Sequence, residues 1–198
     1  MKRHAMLDME SIGTKAGYAV LSIGAVIIYV DGVGNEIEFG DIASPIYIKF
    51  DINDQIKGGY LSDKSTRSWW AVHNYEARKV LLPATEDVPT HEGLVELYHY
   101  LTTQEIDFFW AKGGMDFEML GCMYAQEEVQ SPWNFWQERD LRGLLDLAPP
   151  DALPKRTGFI AHDAMQDAEF QMAQLRAALR HLHELEPALI TKYTGEAA

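Results

Sequence analysis

The sequence predicts an α/β fold: a mixed β-sheet with an antiparallel N-terminal meander, flanked by helices. Three observations carry that expectation. β-forming runs alternate with Gly/Asp turn signals as far as about Phe50. From about Ser62 the apolar period changes from two to nearly four. One short apolar run, "IDFFWAK", then returns between helical stretches, and strands interleaved with helices put helices on both faces of one sheet.

The elements follow in order. "HAMLDME" reads as a short strand and "GYAVLSIGAVIIYV" as a long one. The turn signal Asp31-Gly32-Val33-Gly34-Asn35 leads to "EIEFGD", and "SPIYIKFD" adds another strand, which makes a meander. Ser62 to about Leu82 has helical spacing, with Trp69, Trp70, Val72, His73 and Ala77 in it, and Pro83 stops it. Thr90 is placed to cap a helix containing Leu94, Leu97, Tyr98 and Leu101. "IDFFWAK" is a buried strand closed by Gly113-Gly114, and helical spacing resumes from Asp116 to about Gln126. "RDLRGLLDLA" is a strand end followed by a helix, and "LAPPDALPKRTG" a proline-rich surface loop. The last helix is expected from about Met165 to Leu185, with a frayed tail from Gly195 to Ala198. No boundary interrupts this order, so one domain is expected over residues 1–198, with its core at about 6–185.

Bulk properties bound the function. The chain has 198 residues, 47% of them hydrophobic, enough for a sizeable core. Cys122 is the only cysteine. That excludes an internal disulfide and a zinc site of several cysteines, and it points to a reducing cytoplasm. No apolar stretch follows the basic N-terminus as a signal peptide requires. The longest apolar run, Tyr18 to Val30, is interrupted by Ser22 and Gly24 and falls short of the ~20 residues that span a bilayer, so no membrane partner is expected. The net charge of −13 opposes non-specific binding to a phosphate backbone.

Individual acids then raise chemical questions. Asp8 and Glu10 are two apart, so on a strand they share a face. Two carboxylates held together need a proton or a cation between them; the plainer reading is an exposed strand end. Asp116 follows an apolar strand and two glycines, where it either caps a helix or enters a site. In "AHDAMQDAEF", Asp163 can N-cap the last helix, with Gln166 completing a capping box. His162 then precedes the helix and Asp167 sits in its first turns, so both can lean into one cleft. A histidine there is either structural or a candidate general base.

The order D-x-E, then D, then H-x-A-x-x-D resembles the DEDD superfamily of 3′–5′ exonucleases, in the version with a catalytic histidine. In the sister version a tyrosine stands four residues before the last aspartate, where this chain has Asp163. The blocks "LDMESIGT", "STRSWWAVHNYEAR", "FWAKGGMDFEML", "WNFWQERDLRGLLDL" and "HDAMQDAEFQ" resemble one branch, which contains small phage-type exonucleases and the bacterial exoribonuclease RNase AS. The likeness covers roughly Met6 to Leu182. Met115 stands where the middle block usually has phenylalanine, and Ser11 where many relatives have threonine.

The resemblance implies an RNase H-like fold and two divalent cations, Mg²⁺ or Mn²⁺, with Asp8, Glu10, Asp116 and Asp167 as ligands and His162 as base. It also implies a nucleic-acid 3′ end as substrate (RNA favoured over DNA), nucleoside 5′-monophosphates as products, and a homodimer. Met9, Ser11, Trp70, Lys112 and Arg139 are the expected substrate contacts. Trp69 and Trp70 point about 100° apart on a helix, so one of them is core and the other free for the cleft or a partner. Compensation of four carboxylates by two divalent ions answers the charge objection in part, and a short footprint on the substrate is expected. The alternative is a catalytically silent module that binds nucleic-acid ends or nucleotides.

Overall fold

The computed structural model describes residues 1–33, 36–158 and 160–195. Gly34 and Asn35 of the expected turn, and the last three residues of the expected tail, lie outside the described residues. The chain runs β1 (Lys2–Ser11), β2 (Val20–Val33), β3 (Glu36–Asp41), β4 (Ile46–Lys49), α1 (Ile52–Lys57), α2 (Lys64–Ala71), α3 (Tyr75–Arg78), α4 (Thr90–Thr102), β5 (Phe108–Ala111), α5 (Met115–Gln126), β6 (Glu138–Asp140), α6 (Leu141–Leu145), α7 (Ala164–Leu185) and α8 (Thr191–Thr194). Short 3₁₀ turns at Lys79–Leu81, Phe135–Gln137 and Pro187–Ile190 complete it.

Among the described residues the strands form one six-stranded sheet in the order β3-β2-β1-β5-β6, with β4 paired to β2 beyond β3. β1 pairs antiparallel with β2 and parallel with β5, and β5 pairs parallel with β6. The architecture agrees with an RNase H-like fold.

Strand alternation divides the core in two. Ala5, Leu7 and Met9 of β1 face one cluster, with Leu94, Leu97 and Leu101 of α4 and Leu120 and Met123 of α5. Met6 faces the other, with Val26, Ile28 and Val30 of β2, Trp110 of β5, and Met172, Leu175 and Leu179 of α7. Each large apolar side chain so buried contributes about 1.5–3 kcal/mol. His4, on the Met6 face, is fully buried. Its Nδ1 accepts the Trp110 indole N–H at 3.0 Å, which leaves Nε2–H to donate to the Tyr193 carbonyl at 2.8 Å. Burial lowers its pKa to about 4, so the neutral ring ties the C-terminal segment to β1.

Three expectations need correction. The stretch from Ser62 to Leu82 is not one helix: it breaks after Ala71, and Asn74 recaps it by accepting the Glu76 N–H at 2.9 Å. Thr90 is the first helical residue of α4 rather than its cap; its N–H and hydroxyl both donate to Asp54, at 2.8 and 2.7 Å. α1 was not expected; Asp51 caps it by accepting N–H bonds from Asn53 and Asp54.

Candidate active site

The site is built on the C-terminal half of β1. Met6, Asp8 and Glu10 alternate onto the face covered by α7. Across the antiparallel ladder Asp8 lies opposite Gly24 and Glu10 opposite Ser22. The register shifts between Glu10 and Ser11, a bulge that ends the regular pairing just past the second acid. Gly24 has a steric reason to be glycine. A Cβ there would stand 2.5 Å from the Ala164 carbonyl oxygen and 2.7 Å from the Met165 Cα. The first turn of α7 therefore rests on the backbone of β2 beside Asp8.

α7 presents two stripes. Ala168, Met172, Leu175 and Leu179 enter the core, while Asp167, Gln171 and Gln174, spaced i, i+4, i+7, form a buried polar stripe beside them. The Gln171 amide donates to Asp8 Oδ1 at 2.5 Å. Asp163 N-caps the helix as expected, accepting the Gln166 N–H at 3.0 Å. The capping box does not close, because the Gln166 side chain accepts the Ile160 N–H instead, at 2.8 Å, and pins the preceding loop.

His162 sits at the end of that loop with φ +65°, the left-handed region that non-glycine residues rarely adopt. This conformation turns its backbone N–H onto Asp167 Oδ2 at 2.8 Å. The imidazole Nδ1 lies 4.0 Å from Glu10 Oε1. The ring stands edge-on to Trp69, Trp70 and His73, at centroid distances of 4.7, 6.1 and 5.0 Å. Asp116 arrives from the other side of β1. Gly113, at φ +114°, turns the chain out of β5, Gly114 caps α5, and Asp116 is in the first helical turn rather than at the cap.

These residues line one cleft of about 580 Å³, with Met9, Ser11, Thr66, Trp69, Lys112, Arg156 and Gln171 also on its walls. Glu10, Asp116 and Asp167 are buried. Burial, reinforced by the neighbouring acids Asp116, Glu10 and Asp167, raises the pKa of Asp8 well above the carboxylate range. Burial likewise pushes Glu10 to about 8, with Asp167 and Asp116 adding to the effect. Asp116 rises to about 6, again through burial, partly offset by its own backbone N–H and that of Met9. Burial lowers the pKa of His162, with Asp167 opposing. Arg156 forms an ion pair with Asp167 Oδ1.

This donor set fits divalent cations. Hard oxygen ligands converge in a buried cleft, and three of them would hold protons where no cation compensates them. One ligand atom each from Glu10, His162 and Asp167 lies within 4.8 Å of the others. The buried Gln171 Oε1 has no donor among the described residues.

The expected residues divide as follows. Asp8, Glu10, Asp116, His162 and Asp167 meet in the cleft, and Met9, Ser11, Trp70 and Lys112 line it. Trp70 is only 1% exposed and donates its indole N–H to the Ser11 carbonyl at 2.9 Å, so it supports the wall; Trp69, 42% exposed, is the aromatic face open to a ligand. Arg139 does not line the cleft. It donates to the Trp136 and Glu138 carbonyls and its guanidinium lies 4.6 Å over Phe108; it shares the acids' face, but on the edge strand β6 and in register with Trp110 and Met6, short of the cleft. Arg156, Gln171, Trp69 and His73 were not assigned from sequence. The i, i+4 spacing of Gln171 from Asp167 was the available signal for one of them.

A family profile described as the 3'-5' exoribonuclease Rv2179c-like domain matches residues 3–179. The chain is also 31% identical over 211 aligned positions to an exodeoxyribonuclease of Enterobacteria phage T4, covering 92% of each sequence.

Proposed function

The chain belongs to the Rv2179c-like 3'-5' exoribonuclease family of the DEDD superfamily, and from that premise we propose that it shortens RNA from the 3′ end, releasing nucleoside 5′-monophosphates. The observation that supports this reading most is the convergence of four carboxylates and His162 in one cleft. Asp8, Glu10, Asp116 and Asp167 would hold two divalent cations, Mg²⁺ or Mn²⁺. Bound there, such ions supply charge stabilisation to the attacking and leaving oxygens of an in-line displacement.

The chain's own groups do the rest. His162 Nδ1, the ring nitrogen facing Glu10, takes the proton of the attacking water. Its lowered pKa keeps it unprotonated near neutrality, as a base must be. The left-handed turn and the surrounding rings of Trp69, Trp70 and His73 fix the imidazole's direction. Trp69 offers a stacking face for the terminal base. Arg156 and Lys112 are the cations placed to meet the phosphate, and Ser11 and Met9 border the terminal sugar. RNA is favoured by the family description, although the phage relative's name specifies DNA. The reading includes a single domain acting as a homodimer in the cytoplasm; among the described residues no helix is long and apolar enough to cross a membrane.

The test is digestion of matched, 5′-labelled RNA and DNA oligonucleotides with Mg²⁺ or Mn²⁺. Stepwise shortening with monophosphate release is expected, faster on RNA, and lost in Asp167→Asn. Binding without shortening at saturating Mn²⁺ would identify a silent end-binding module instead, and full activity in Asp167→Asn would sink the mechanism.

A further inference from the structure

Residues 62–82 depart from the charge of the chain. Lys64, Arg67, Arg78 and Lys79 stand against Asp63 and Glu76, a local excess of +2 in a protein of net charge −13. α2 carries this segment along the cleft and shows it two faces. Ser65, Thr66, Trp69 and Trp70 line the catalytic cleft. Arg67 and Ala71 turn the other way and, with Tyr75, Arg78, Lys79 and Leu82, line a separate groove of about 270 Å³. Tyr75 is 60% exposed, with the Lys79 ammonium 5.4 Å from its ring centre. Arg78 binds the Ala71 carbonyl through Nη1 at 3.1 Å, while its buried Nε has no acceptor among the described residues. Lys79 is ion-paired with Glu76, which leaves Arg67 and Arg78 as the groove's cations. An open aromatic ring beside two arginines, set across one helix from the cleft, has the chemistry of a single-strand track.

We propose that the α2–α3 groove binds the single-stranded segment 5′ to the terminal nucleotide, with a base on Tyr75 and phosphates on Arg67 and Arg78. The inference rests on the exonuclease reading for the position of the 3′ end. α2 with its side chains is about 10–12 Å across, so a dinucleotide held in the cleft does not reach the groove and a longer strand does. Charge complementarity selects this occupant: the segment carries an excess of two positive charges in a chain of net −13, and it adjoins the cleft across α2.

The experiment measures binding, by fluorescence anisotropy in Mg²⁺, of an octanucleotide whose 3′-terminal linkages are phosphorothioates. Parent protein, Arg67→Glu, Tyr75→Ala and Lys64→Glu are compared, with thermal midpoints as folding controls. Lys64 is exposed in the first turn of α2, on the Arg67 side and outside both cavities, so Lys64→Glu gives a surface variant of the same charge change should Arg67→Glu fold poorly. Arg67→Glu and Tyr75→Ala are expected to weaken octanucleotide binding about tenfold. The slope of log affinity against log salt should fall by about 0.7 or more in Arg67→Glu. In kcat/KM, the advantage of octanucleotide over dinucleotide should shrink in both variants. Octanucleotide affinities within twofold of the parent's in the folded variants overturn the groove. So does a change in sedimentation with affinity retained, which would make the groove a contact between copies of this chain. Failure of the parent to shorten any substrate would instead count against the exonuclease reading, and the binding measurement would still judge the groove.

Discussion

Arg156 is, among the described residues, the one lysine or arginine ion-paired with a cleft carboxylate. A guanidinium and a divalent cation would compete for the same oxygen of Asp167, so removing the guanidinium favours the cation. Arg156→Gln should therefore bind Mn²⁺ more tightly by calorimetry, by about threefold to tenfold, while on the proposed reading its turnover falls because the phosphate loses a partner. Weaker Mn²⁺ binding in that variant would show that Arg156 supports the site rather than competing in it. The residues that sequence could identify were those whose order is itself a pattern: Asp8, Glu10, Asp116, His162 and Asp167. Arg156 was not legible in that way. Its role comes from a loop conformation that Gln166 pins, and no periodicity reports a loop. Arg139 shows the opposite error: its block resembled the family's, but β6 is the edge strand and holds it in register with Met6, short of the acids.

Among the elements, α7 was the most legible because its apolar stripe runs through 22 residues. Its docking point was not, since Gly24 reads in sequence only as an interruption of an apolar run. The contact it allows is with backbone, which cannot rotate out of the way. Gly24→Ala should shift the start of α7 and cost about 1–3 kcal/mol in stability, read from the denaturant midpoint. Because Asp167 and Gln171 ride on that turn, turnover should fall more than tenfold. A variant of parental activity would mean that α7 can slide without disturbing the acids. The break between α2 and α3 was missed for a related reason: Ser62 to Leu82 keeps its helical apolar spacing across the break, and only Asn74, a short polar capping residue, marks it.

For the whole molecule, the buried acids set a balance between protons and metal. Asp8, Glu10 and Asp116 keep their protons in the fold at pH values where the unfolded chain has released them. The stability they contribute is complete below about pH 4, the unfolded carboxylate range. It is lost as pH rises through about 6 for Asp116 and about 8 for Glu10. Metal-free protein should therefore lose stability from these groups between pH 5 and pH 8. The rise in melting temperature on adding Mn²⁺ should be larger at pH 8 than at pH 6, since fewer protons compete. An equal rise at both values would mean that the acids are already ionised without metal.

The two halves of the cleft are also held very differently. Asp8 and Glu10 extend from a strand bonded to β2 along most of its length and to β5 near its start, whereas His162 ends a loop held by a few side-chain contacts, from Gln166, Asp167 and Arg156. Their lifetimes in the native state should differ accordingly. Amide hydrogen exchange should be slow in β1, near the global limit, and fast in residues 147–158, whose opening needs no unfolding of the sheet. On warming, activity should fade reversibly several degrees before the melting transition, as the loop opens while the acids remain in register.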